Sequence, residues 1–173
     1  IWPTRVIKLR SCIDTPNRLG RVYEEYDSAA LFDYDFNESQ FQNYIRICKR
    51  FNRRFRRKNI YHAYSNANFD LWLILHKEDY YRPVTHNRAY IDDVKRIYGL
   101  GREDNIKNQD ILETILKQIT LDDVKNAIGR ANKIKSRKMP EDGRSIEGDL
   151  IYENPDFSIH QFIETVLKDC SEL

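Results

Sequence analysis

The sequence predicts an α/β protein, a small parallel sheet with flanking helices followed by a helical C-terminal half. Three observations carry that prediction. Through residue 85, short apolar runs alternate with amphipathic helical segments in the order strand, helix, strand, helix, strand, helix, an alternation that closes into a parallel sheet with crossover helices. From residue 86 onward the apolar spacing is almost entirely helical. The 173 residues are 40% hydrophobic and 32% charged, which suits one globular core and leaves little room for two. The expected organisation is a single domain over 1–173, with an α/β core at 1–85 and a helical extension at 86–173.

Element by element, residues 5–13 alternate loosely as a short buried or edge strand, and a turn follows at Asp14-Thr15-Pro16-Asn17. Residues 18–26 can form a short helix. Ser28-Ala29-Ala30-Leu31-Phe32 is a compact core strand that stops at Asp33-Tyr34-Asp35. Asn37 then caps a long helix over 38–57. On it Phe41, Tyr44, Ile45, Cys48, Phe51 and Phe55 recur at three- and four-residue steps, while Arg46, Lys49, Arg50, Arg53, Arg54 and Arg57 follow the same period on the other side. A second aromatic-rich strand spans 59–64, with Ser65-Asn66 as turn and cap before a helix at 68–78. Further helices are expected at 87–98, 108–118, 121–136 and 157–169, the third of them capped by Thr120. Residues 137–152, with Pro140, Gly143 and Gly148, read as one long irregular loop or lid.

Composition excludes several classes. The longest uninterrupted apolar stretch is Leu71–Leu75, far short of the roughly 18 residues of a membrane span. Cys12, Cys48 and Cys170 are odd in number and widely spaced, so they predict neither a disulfide framework nor a zinc site, and a reducing, cytoplasmic setting is expected. The chain starts at Ile1 without the features of a signal peptide, which suggests that it begins partway into a longer protein.

Two clusters can carry chemistry. In a strand, Asp33 and Asp35 share a face, and ligands of open α/β sheets gather at the carboxyl ends of strands. The pair can hold a hard cation, or it can be a solvated turn that also caps a helix. In the block Ser65–His76, Phe69, Trp72, Leu73 and His76 share one side of a helix with Asp70 in its first turn. Each also has a plain structural reading: Asp70 as a dipole partner, Trp72 as core, His76 as a satisfied buried histidine.

These residues resemble the RloB-like proteins. The order Leu31-Phe32-Asp33-Tyr34-Asp35, then a helix, then Tyr64-Ser65-Asn66-Ala67-Asn68-Phe69-Asp70-Leu71-Trp72-Leu73-Ile74-Leu75-His76 is similar to that family's Asp-x-Asp strand and Ser-Asn-Pro-x-Phe-Glu-x-Trp-Leu-Leu-Leu-His block. Asn126–Ala131, Asn154-Pro155 and Ser158–Glu164 are similar to its C-terminal motifs, so the likeness runs from about residue 28 to 165. The resemblance implies a Toprim-like fold whose acids bind Mg²⁺, with Mn²⁺ as a substitute, in nucleases of restriction-linked and abortive-infection defence against phage, often beside an ATPase partner. It places Asp33 and Asp35 as metal ligands, Asp70 and His76 as further catalytic candidates, and Asn66, Trp72, Arg130 and His160 in the matching motifs. Asp70 stands where the family has Glu, and Ala67 where it has Pro. The Glu-Gly-x-Thr-Glu type of segment that supplies a catalytic Glu has no counterpart, and Glu24 and Glu25 do not match it. A fragment or an inactive relative would both fit that departure.

Net charge is only +2, yet residues 46–58 carry eight basic residues and no acid. Such a ridge suits phosphate contacts, with Arg130 and the cluster Lys133, Lys135, Arg137 and Lys138 as a second basic region. The resulting expectation is a Mg²⁺-dependent phosphodiesterase acting on DNA or RNA, tRNA included, with His76 as a proton donor to the leaving oxygen. The alternative is a non-catalytic module that binds nucleic acid or an ATPase through the same helix with a degenerate metal site.

Overall fold

The computed structural model describes residues 5–8, 28–34, 36–54, 60–66, 68–86 and 88–170, with backbone alone at 5–8, Ser28 and Arg54. The expected helix at 18–26, Glu24, Glu25, Cys12, Asp35, Phe55 and Arg57 lie outside the described residues. Three parallel strands, β1 (Arg5–Lys8), β2 (Ser28–Asp33) and β3 (Ile60–Asn66), sit side by side with β2 in the middle. In register, Ser28 pairs with Ile60 and Asp33 with Ser65, so β2 and β3 end together. Helix α1 (Glu38–Arg54) connects them, and Gln40 N–H donates to Asn37 Oδ1 at 3.2 Å as the cap residue requires.

Period-two alternation divides the sheet into two faces. Ala29 and Ala63 join a large apolar cluster built from α2 (Asp70–Leu75), α3 (Ile91–Tyr98), α4 (Gln109–Leu116), α5 (Leu121–Ser136) and α6 (Ile159–Asp169). Its centre, Leu71, Ile74, Leu75, Val94 and Ile115, is fully buried. On the other face, Ala30, Phe32, Ile60 and Tyr64 pack under Phe41, Ile45, Cys48 and Phe51 of α1. Thr120 opens α5 with a capping box completed by Asp123, and Gly99 closes α3 in the left-handed region at φ 65°.

The C-terminal half departs from the helices-only expectation. Residues 137–152 are not an irregular lid: a 3₁₀ turn (Pro140–Asp142) leads into the hairpin β4 (Arg144–Ile146) and β5 (Asp149–Ile151). Its two-residue turn has Glu147 at φ 51° and Gly148 at φ 90°, the paired positive values of a type I′ turn, and glycine supplies the second without strain. Ile146 and Ile151 insert into the cluster beneath α1, so the hairpin is docked onto the front face. A two-residue strand, β6 (Asp156–Phe157), then adds antiparallel to β3 and becomes the fourth strand of the main sheet. Ser65 and Asn66, expected as turn and cap, are the last residues of β3 because β6 pairs with them.

Candidate active site at the carboxyl edge of the sheet

Beyond the ends of β2 and β3 lies a cleft of about 500 Å³. Its walls are Tyr34, Phe36 and Asn66 from the strand ends, Val84 and Thr85 from the loop after α2, and residues 142–144 and 151–154 of the hairpin region. Asn154 ties two of these walls together. Its Oδ1 accepts from Val84 N–H at 2.5 Å and its Nδ2 donates to Val84 C=O at 2.9 Å. Asn66 is 3% exposed, its Nδ2 donates to Tyr152 C=O at 2.6 Å, and its buried Oδ1 has no hydrogen-bond partner among the described residues.

Asp33, half-buried, is one residue along each strand from this cleft: it precedes Tyr34 and pairs in register with Ser65, which precedes Asn66. Alternation places Asp33 and Ser65 on the helical back face, whereas Tyr34 and Asn66 belong to the front. The acid and the cleft therefore occupy opposite sides of one sheet edge. Asp35, the other half of the expected metal pair, lies outside the described residues. Among the described residues no three His, Cys, Asp or Glu side chains converge as a metal cage. Two carboxylates of the Asp33–Asp35 kind nevertheless fit Mg²⁺, which is commonly held by one or two acids and otherwise keeps its waters.

The central block is mostly structural. Asp70 is half-buried in the first turn of α2, where its N–H donates to Asn68 Oδ1 at 3.0 Å. Trp72 is 5% exposed and packs edge-on to His76 and Phe157. His76 is itself buried, its Nδ1 lies 2.8 Å from Trp72 C=O in its own helix, and burial lowers its pKa below the usual histidine value. That ring packs on Trp72 of the back-face core, away from the residues that line the cleft. Arg130 donates to Leu75 C=O at 2.8 Å and His76 C=O at 3.1 Å, and so caps the end of α2 instead of offering its guanidinium to solvent. His160 is 1% exposed, stacks edge-on with Phe157 and has no hydrogen-bond partner on either ring nitrogen among the described residues.

The basic ridge is not bare. Glu147 at the hairpin turn pairs with Arg53 at 3.1 Å and Arg46 at 3.6 Å, and Asp149 holds Lys49 at 2.6 Å. Asp149 also lies 2.8 Å from His62 Nε2. Burial nonetheless outweighs that carboxylate and lowers the pKa of His62. Arg50 is exposed and has no ion-pair partner among the described residues, while the side chain of Arg54 and all of Arg57 lie outside them.

Asp156 carried no sequence signal, yet it holds Lys135 of the second basic region. Asp156, 1% exposed, accepts from Tyr64 OH at 2.8 Å, from Tyr152 N–H at 2.9 Å and from Lys135 Nζ at 2.8 Å. Burial first, and the Asp156 carboxylate second, push the Tyr64 hydroxyl well above its ordinary pKa. The network anchors β6 and one wall of the cleft to α5.

A family model described as RloB-like protein matches residues 8–166, most of the chain. The chain belongs to the RloB-like protein family. No curated protein and no solved structure matches it. The family match of this RloB-like protein spans β2, the acid at its end and the residues that line the cleft. No helix of the described residues is long and apolar enough to cross a membrane.

Proposed function

We propose that this RloB-like protein is a Mg²⁺-dependent phosphodiesterase acting on nucleic acid, with a Toprim-like arrangement of its sheet, in restriction-linked defence against phage. The observation that carries the reading is the position of Asp33. It ends the central strand of three parallel ones, at the edge where α/β sheets gather their ligands, and a cleft opens one residue away. Asp33 with Asp35 would hold the ion, which when bound polarises the phosphodiester and lowers the pKa of its water. Asp33 supplies charge and position, and the strand pairing with Ser65 holds its backbone rigid.

Two expected parts are reassigned in this proposal. His76 serves the core rather than the leaving oxygen, since its ring is buried and its Nδ1 is committed to backbone. Phosphate contacts do not rest on the whole ridge, because Asp149 holds Lys49 and Glu147 is shared by Arg46 and Arg53, which leaves Arg50 as the cation of the described ridge with no ion-pair partner.

The test is cleavage of end-labelled tRNA and of plasmid DNA in Mg²⁺. The expected result is cleavage of one polymer that stops in EDTA and falls at least a hundredfold in Asp33→Asn. Cleavage unaffected by Asp33→Asn would contradict the proposal, as would polymer binding that is insensitive to EDTA and unaccompanied by cleavage, the behaviour of a non-catalytic binding module.

A further inference from the structure

The cleft contains one feature that folding alone does not explain. Asn66 lines the cleft and is nearly sealed, its amide NH₂ is fixed on Tyr152 C=O, and its Oδ1 is left without a partner among the described residues. A buried acceptor left unpaired loses its hydration without recompense, and such groups are rare in folded proteins. A ligand in the cleft bearing an N–H would supply the missing bond.

The other walls narrow the ligand. Tyr34 and Phe36 stand with ring centroids 5.7 Å apart, and Phe36 is 40% exposed on a backbone at φ 54°. An exposed aromatic held on a strained backbone is an unusual expense for a loop with no contact to make. Arg144 lies over the Tyr34 ring at 5.8 Å, but its charge is already engaged by Glu38 at 2.6 Å. With Asp142 and Glu153 also on the wall, the cleft carries no surplus positive charge and disfavours a phosphate inside it. What fits is an uncharged planar group with N–H donors and π faces.

We infer that the cleft receives a single unstacked nucleobase, with Asn66 Oδ1 accepting from a base N–H and Tyr34 and Phe36 forming the stacking surface. The inference rests on the nucleic-acid reading above and deepens it. The strand would cross the sheet edge, with its backbone at Asp33 on one side and one base turned into the cleft on the other. Bases splayed from single-stranded loops are read in this way, by stacking on aromatic side chains and hydrogen bonds to a base edge. The volume of about 500 Å³ lies within the range of small-ligand sites and accommodates one base with its sugar.

The experiment titrates the four ribonucleosides into the full chain, followed by ¹H–¹⁵N NMR, alongside cleavage of labelled RNA by the same samples. At least one nucleoside should shift the amides of Tyr34, Asn66 and Tyr152. Tyr34→Leu and Phe36→Leu, changes at half-buried and exposed positions that keep an apolar side chain, should each weaken its binding about tenfold, the loss expected for one stacking ring. Asn66→Ala should abolish preference among the four, read together with its melting temperature. No shift with any nucleoside, or unchanged affinity in both Leu variants, would overturn the inference. Metal-dependent cleavage without nucleoside binding would overturn the cleft while sparing the phosphodiesterase reading. Nucleoside binding without cleavage would support the cleft and remove that reading.

Discussion

The two faces of the central sheet are closed by different chemistry. Behind it, five helices bury a continuous apolar cluster with Leu71, Ile74, Leu75, Val94 and Ile115 at its centre. In front, a smaller cluster under α1 is framed by charge: Lys49 and His62 on Asp149, and Lys135 and Tyr64 on Asp156. The apolar centre of the back face carries no ionisable side chain, whereas the front depends on acids contributed by the last third of the chain. The proposed site lies where the two meet, at the carboxyl edge.

The largest expected effect comes from the front. Asp156→Ala leaves a half-buried lysine, a buried tyrosine hydroxyl and the Tyr152 N–H without their acceptor, and should cost about 3–5 kcal/mol in urea denaturation. Pairing it with Lys135→Met should recover part of that loss, whereas additive losses would show that the network is not coupled. On the back face, Ile74→Ala opens a cavity at a fully buried site and should cost about 3 kcal/mol, equally at low and high salt. A salt-dependent loss there would blur the distinction between the faces.

The junction of the faces should show in pH. His160 packs on Phe157 and is faced by Lys135 and Glu164; burial, with Lys135 adding to it, lowers its pKa from 6.5 to about 4. Between those values the unfolded chain binds the proton and the folded chain does not. Stability is therefore complete above pH 6.5 and falls as pH drops through about 4, by on the order of 3 kcal/mol. Denaturation midpoints of wild type and His160→Phe over this window check it: the variant should show a shallower slope, the remainder coming from His62 and His76, and an unchanged slope would contradict the assignment. The smallest effect is expected at Glu147→Gln, whose ion pairs with Arg46 and Arg53 are exposed; stability should change by less than about 0.5 kcal/mol. Its affinity for a labelled polynucleotide should rise at low salt, because the variant uncovers two arginines of α1.

What could be read from the sequence follows the same division. The acid-ended β2, α1 with its Asn37 cap and α5 with its Thr120 cap are written in local spacing and local hydrogen bonds, and each stands where the residues indicate. β6 is two residues long and is defined only by its pairing with Ser65 and Asn66, so no local pattern announces it. The hairpin carried one hint, Glu147-Gly148 between Ile146 and Asp149-Leu150-Ile151, but without the Asn-Gly turn that makes such signals strong. The cationic period of α1 was plain, while its neutralisation by Glu147 and Asp149 depends on residues about a hundred positions away. At the edge, Asp33 and Asn66 were legible as candidates. The unpaired Oδ1 of Asn66 and the cleft around it were not, because they arise from the loop after α2 and the hairpin folding over the strand ends.

Paramagnetic broadening by Mn²⁺ tests most directly the claim that the carboxyl edge is the working end. In ¹H–¹⁵N spectra, substoichiometric Mn²⁺ should erase the amide signals of Asp33, Tyr34 and Ser65 first and leave Ala29 and Ile60, at the other end of the same strands, intact, and Asp33→Asn should abolish the effect. Broadening centred on another acidic group such as Asp92 and Asp93, or unchanged in Asp33→Asn, would contradict the account.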